Sequence, residues 1–242
     1  MTGSRPSHRP TRTTGGPMSD APAPEQPTPS GAPLSSVART VDVREEDGAL
    51  RDEVVLAITL PQDLDAVWPA VTQAEQISRW FVPVTGDLAD DGRYQLEGNA
   101  SGTVLDCRPP HRFRVTWEFG DETSWVTVSV EREESTTGGD DATRLTLSHL
   151  LPRAPQWDTY GPGAVGIGWD LALVGLVRYL ATRSARTAQD ATAWLASPDG
   201  VAFVRHSGRE WGHAHAASGV DEDAALAAAE RTVAAYLGEP VA

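Results

Sequence analysis

The chain has no lysine. All 20 basic residues among its 242 are arginine, set against 34 acidic ones, so the formal net charge is 20 − 34 = −14. A surface of that sign repels nucleic acid and anionic lipid, and neither is expected as a partner. Cysteine is nearly absent too. Cys107 stands alone, which excludes an internal disulfide and any multi-cysteine metal site. It lies in the strand-like run "GTVLDC" and reads as a small core residue rather than a reactive thiol. No stretch approaches the roughly 18 consecutive apolar residues of a membrane span. The arginines near the N-terminus are not followed by the apolar segment of a secretory signal. Together these absences predict a soluble, cytoplasmic protein.

Large apolar residues are scarce in one region. Residues 1–50 are rich in Pro, Ser, Thr and Gly and cannot bury enough surface to offset the entropy of ordering. They are expected to be disordered and dispensable, with Met18 as a second candidate start. Elsewhere the chain is well supplied: 40% of its residues are hydrophobic, and eight are tryptophan.

Order is expected from about Glu53, where "EVVLAITL" has the β-branched content of a strand. Asp63 can cap a helix through "LDAVWPAVT", kept short or bent by Pro69. A second short helix, "AEQISRWF", puts Ile77, Trp80 and Phe81 on one side. The period then changes to two. "GRYQL", "GTVLDC", "RFRVTWEF", "TSWVTVSVE" and "TRLTLSHL" are strand candidates parted by turn signals at Gly98-Asn99, Pro109-Pro110, Gly120-Asp121 and Gly138-Gly139-Asp140. Short links make them an antiparallel meander with one dry face, carrying Phe113, Val115, Trp117, Phe119, Leu145, Leu147, His149 and Leu151. Trp125 falls on the opposite phase from Val126 and Val128, and its orientation is left open.

A long helix from about Ala164 to Leu180 can cover that dry face. It is apolar nearly all round, with only Asp170 and Arg178 charged from Trp169 to Leu180, so it is expected to be buried on more than one side. Residues 185–237 hold two or three further helical patterns; the last is capped by Asp221 and ended by Gly238 and Pro240. This tail is expected to shield the long helix. The run "GPGAVG" (Gly161–Gly166) has the dinucleotide spacing G-x-G-x-x-G. It lacks a strand leading directly into the turn and a βαβ unit around it, with "VAFVRH" the sole strand candidate downstream. These glycines are read as letting the helix start lie close to the sheet.

The segments "LPQDLDAVWPAVTQAEQISRWF", "GTVLDCRPPHRFRVTWEF" and "TRLTLSHL", in this order, resemble the START-like (SRPBCC) superfamily. Within it they are similar to the branch of the activator of heat-shock protein 90 ATPase homologues, over roughly residues 53–182. The resemblance implies an α+β helix-grip fold: an antiparallel sheet wrapped around a long C-terminal helix, with an apolar cavity between them. The expected division is a disordered segment 1–50, a START-like domain 51–183 and a helical extension 184–242 packed on it.

The candidate ligand-binding residues are Trp80, Phe81, Val115, Trp117, His149, Trp169 and Leu173. The aromatic rings supply flat apolar contact area, and each of them can equally be plain core. His149, flanked by Leu145 and Leu147 on its face, is either a satisfied inward histidine or a polar anchor. Its candidate partners are Asp158 and Tyr160. His213 and His215 in "WGHAHA" point about 200° apart on a helix and cannot share an ion there. No catalytic residue, metal ligand or cofactor is assigned. Three functions remain: binding of a small hydrophobic or aromatic molecule without chemistry, which is favoured; a polyketide cyclase/aromatase-type enzyme using His149 with a Tyr or Asp; and a chaperone-interacting protein, as the family's name implies.

Overall fold

The computed structural model describes Met1 and residues 36–133 and 142–240. The strands are β1 (Ala38–Glu46), β2 (Ala49–Leu60), β3 (Val84–Gly86), β4 (Arg93–Leu96), β5 (Ser101–Arg108), β6 (Arg112–Phe119), β7 (Glu122–Glu133) and β8 (Ala142–Pro152). They form one sheet in the order β1-β2-β8-β7-β6-β5-β4-β3, with antiparallel pairing throughout. Order thus reaches further toward the N-terminus than "EVVLAITL". Ala38–Glu46, expected to be disordered, is an edge strand joined to β2 through Asp47 and Gly48, both at positive φ. A two-residue Asp-Gly link with this backbone is the favoured hairpin turn. The remainder of 1–50, residues 2–35 with Met18, lies outside the described residues, as does the turn at Gly138-Gly139-Asp140.

One face of the sheet is dry. Val54, Leu56, Ile58 and Leu60 of β2, Val126, Val128 and Val130 of β7, and Leu145 and Leu147 of β8 are all buried in the common core. Trp125 is on the other face, with the Arg51 guanidinium 4.2 Å above its ring. The helices α1 (Leu64–Thr72) and α2 (Ala74–Trp80) follow β2, and Asp63 caps α1 by accepting from Ala66 N. The loop before the long helix contains the short α3 (Pro155–Tyr160).

The long helix α4 (Gly163–Thr182) lies across the dry face, with Leu173, Leu176 and Leu180 in the shared core. By length and composition α4 could cross a membrane. Here it is enclosed instead, between the sheet on one side and α6 (Pro198–Ala217) and α7 (Glu222–Leu237) on the other. A short α5 (Ala188–Leu195) leads into this pair. The candidate strand "VAFVRH" is part of α6, in which Phe203, Val204 and Trp211 are buried.

Contacts with these C-terminal helices correct the reading of "GPGAVG". A Cβ on Gly166 would lie 2.2 Å from the Trp211 ring, and one on Gly163 would lie 3.3 Å from the Thr232 methyl. The glycines bring α4 against α6 and α7, not against the sheet. One charged group is buried at that junction. Asp170 is fully buried and receives Nε and Nη2 of Arg39, both at 3.1 Å, and Trp211 Nε1 at 3.1 Å. Ser207 Oγ donates to it as well, at 2.5 Å. A single carboxylate thereby ties β1, α4 and α6 together. Its burial cost is offset by a two-pronged arginine and two neutral donors.

Candidate functional site

A cavity of about 140 Å³ lies between the dry face of the sheet and helices α1, α2 and α4. Six of the seven residues singled out from the sequence line it: Trp80, Phe81, Val115, Trp117, Trp169 and Leu173. Trp80 is delivered by a close approach of α2 to α4. A Cβ on Gly175 would sit 2.4 Å from the Trp80 carbonyl oxygen, so only glycine allows that contact. The wall opposite the helices includes Leu147 of β8, and it also draws on strands whose role at the site the sequence reading missed: Tyr94 and Leu96 of β4, and Val104 and Cys107 of β5. Alternation in "GRYQL" carries the signal for Tyr94 and Leu96. Cys107 is part of this wall and only partly buried, not a closed core residue. Burial holds its thiol above the ordinary value, with Asp90 and Asp106 adding to the effect, so it stays protonated.

The polar atoms of the residues lining the cavity are largely turned away from it. Tyr94 Oη donates to the Thr116 carbonyl at 2.6 Å, and burial pushes its pKa up. Trp80 Nε1 donates to Ala70 O at 2.8 Å, and Thr72 Oγ1 to Trp68 O at 2.7 Å. What faces the space is ring faces and methyl groups.

His149 is the seventh residue, and it does not line this cavity. It is buried behind Trp169 and Trp117, at the inner end of a second, larger cleft of about 580 Å³. Trp169 Nε1 reaches His149 Nδ1 at 3.0 Å, and Ser124 Oγ lies 2.8 Å from Nε2. An indole N–H can only donate, so Nδ1 accepts and the ring proton sits on Nε2. That proton is donated to Ser124 Oγ, whose own hydrogen goes to the Trp117 carbonyl at 3.1 Å. Both nitrogens are satisfied, and burial lowers the pKa to about 3. His149 is neutral across the physiological range. The candidate partners lie elsewhere: Asp158 acts on His215 and Asp52, while the Tyr160 carbonyl accepts from Thr232.

Three rings form the wall between the two spaces. Phe81, Trp117 and Trp169 line both. Phe81 stacks on Trp169, with centroids 6.3 Å apart and planes at 24°. Trp117 meets Trp169 edge-on at 5.1 Å, and Trp80 stacks on Phe81 at 5.6 Å. The outer cleft is more polar, with Asn99, Ser124, Gln156 and Tyr236 on its walls and Glu122 at its rim. His213 is exposed and His215 buried, on opposite sides of α6. Among the described residues no group of three His, Cys, Asp or Glu is placed to hold a metal ion.

An eight-stranded antiparallel sheet curled over a long helix, with an apolar cavity between them, defines a START-like helix-grip protein. Residues 62–181 match the family of activator of Hsp90 ATPase homolog 1-like proteins, and through that segment the chain belongs to it. The solution NMR structure of CalU16 from Micromonospora echinospora is 25% identical. It covers 75% of this chain and 96% of that one, with a TM-score of 0.63. The crystal structure of the same protein is 24% identical, covers 74% and 98%, and has a TM-score of 0.58. The likeness thus extends beyond the segment that defines the family. No curated protein matches the sequence.

Proposed function

We propose that this chain binds a small hydrophobic molecule, with an aromatic ring or short hydrocarbon in the cavity between sheet and α4, and performs no chemistry on it. The observation that carries this reading is the apolar-lined space of about 140 Å³ whose nearby hydrogen-bonding groups are already paired. A dry cavity of about 150 Å³ is enough for one benzene ring. Phe81, Trp117, Trp169, Val115 and Leu173 then act as contact surface. Trp80 braces Phe81.

The cyclase-type reading needs a titratable group able to exchange a proton with the ligand. His149, its candidate, has both nitrogens engaged and a pKa of about 3. A chaperone partner would call for a continuous exposed patch. The large exposed apolar residues Val43, Leu50, Leu105, Phe119 and Val220 are instead spread over the β1–β2 hairpin, β5, the end of β6 and the loop before α7.

Native mass spectrometry of the protein purified from its own host tests the proposal directly, and a co-purifying small molecule is the expected result. In parallel, the neutral probe 4-biphenylmethanol should saturably quench tryptophan fluorescence. Absence of both a bound molecule and quenching would overturn the reading.

A further inference from the structure

The two chambers differ in size and polarity, but their linings share one lack. Among the described residues neither is lined by an arginine, and the chain has no lysine. Among the described residues no ionised side chain lines the inner cavity. In the outer cleft the sole carboxylate among the lining residues is the exposed Glu122, beside the neutral Asn99, Ser124, Gln156 and Tyr236. His149 is committed to Ser124 and Trp169 and offers no cation. One feature could still favour an anion: the N-terminus of α4 borders the cleft. Three of its N–H groups are already used, however. Ala164 N donates to Gly161 O, and Val165 N and Gly166 N both donate to Pro162 O. Tyr236 Oη likewise donates to Ala164 O at 3.1 Å.

Resting on the reading of this site as a ligand pocket, we infer that it selects by charge. Its ligand is neutral or cationic, with an apolar ring in the inner cavity and a hydroxyl, amide or amine ending in the outer cleft, and carboxylates, sulfates and phosphates are rejected. An anion entering here gives up hydration and finds no positive partner in exchange. Glu122 at the rim and the overall charge of −14 oppose it further and favour an amine. The inner cavity has room for about one ring. A longer rod that continues into the outer cleft passes between Phe81, Trp117 and Trp169, which line both spaces, and has its polar end beside Ser124 and Glu122.

The test uses the full chain at pH 7 and one carbon skeleton with three ends: 4-biphenylmethanol, 4-biphenylmethylamine and biphenyl-4-carboxylate. Affinities are read by titration calorimetry. The alcohol and the amine should bind, the amine at least as well, and the carboxylate should be weaker than the alcohol by about tenfold or more. A smaller gap overturns the inference while leaving the ligand-pocket reading standing. Failure of all three to bind a protein shown folded by circular dichroism overturns that reading and this inference with it. Glu122→Arg, at an exposed position, should raise carboxylate affinity relative to the amine. An unchanged ratio overturns the placement of the polar end in the outer cleft.

Discussion

Trp169 gives its indole hydrogen to Nδ1 of His149 at 3.0 Å, and that one bond settles which nitrogen of the imidazole carries the proton. The cost appears when the pH falls. Above pH 6.5 both the folded and the unfolded chain hold the ring neutral, so nothing is lost. Below it the unfolded chain takes up a proton, and the folded one, with a pKa of about 3, does not. Stability therefore falls from pH 6.5 down toward pH 3, by about 2 kcal/mol between pH 7 and pH 5 from this group. His149→Gln can keep both hydrogen bonds and cannot titrate. Denaturant unfolding at the two pH values should show a smaller loss in the variant than in the wild type, by about that amount. Equal losses would place the pH dependence elsewhere. The variant should also retain 4-biphenylmethanol binding within a few fold, since His149 makes no contact with the inner cavity.

Arg39 is expected to matter far more than its place in a charged, proline-poor edge strand suggests. Its side chain is 4% exposed and that of Asp170 is 0% exposed. Arg39→Met leaves Asp170 buried without its charge partner and should cost about 3–5 kcal/mol. Adding Asp170→Leu removes the stranded charge and should recover most of that loss. A single variant as stable as the wild type, measured by chemical denaturation, would contradict this. Deletion through residue 45 removes the same arginine, so it should be as damaging rather than neutral.

The C-terminal helices should prove inseparable from the domain. Truncation after Arg183 uncovers Ile167 and the glycine face of α4 and takes Ser207 and Trp211 from Asp170. Aggregation or strong binding of an apolar dye is the expected outcome. A monomeric truncation of unchanged melting temperature would count against it.

Filling the cavity should separate binding from folding. Leu147 is buried on its sheet wall. Leu147→Phe places added volume in empty space and should shift the melting temperature by no more than a few degrees, while 4-biphenylmethanol binding weakens by about tenfold or more. Undiminished binding would move the ligand out of this cavity.

The sheet and the grip were legible because period-two runs such as "RFRVTWEF" and "TRLTLSHL" leave little choice of face. Six of the chosen site residues met at one cavity for the same reason: a dry sheet face and the helix laid over it enclose a common space. β1 was hidden by its charges. "VDVREE" reads as polar coil until Arg39 is known to reach Asp170, although "EEDGAL" held the Asp-Gly hairpin signal in plain view. His149 was placed on the right face but in the wrong compartment, because phase along a strand does not tell which side of a tryptophan pair a residue will occupy. The glycines of "GPGAVG" were read against the nearer partner in sequence, the sheet. Their partner Trp211 lies about forty-five residues on, beyond any local pattern.

The order in which a ribosome delivers the chain gives the Asp170 junction another meaning. Arg39 emerges early and then waits, because β2 has no neighbour beyond β1 until β8 arrives; Val54 pairs with His149. Asp170 follows about twenty residues later, and Ser207 and Trp211 later still. During that interval the nascent chain holds an apolar α4 and an open sheet edge with no cover. Closure of such sequence-distant pairings is intrinsically slow. Nascent chains stalled before residue 211 should therefore be the ones that chaperones hold longest.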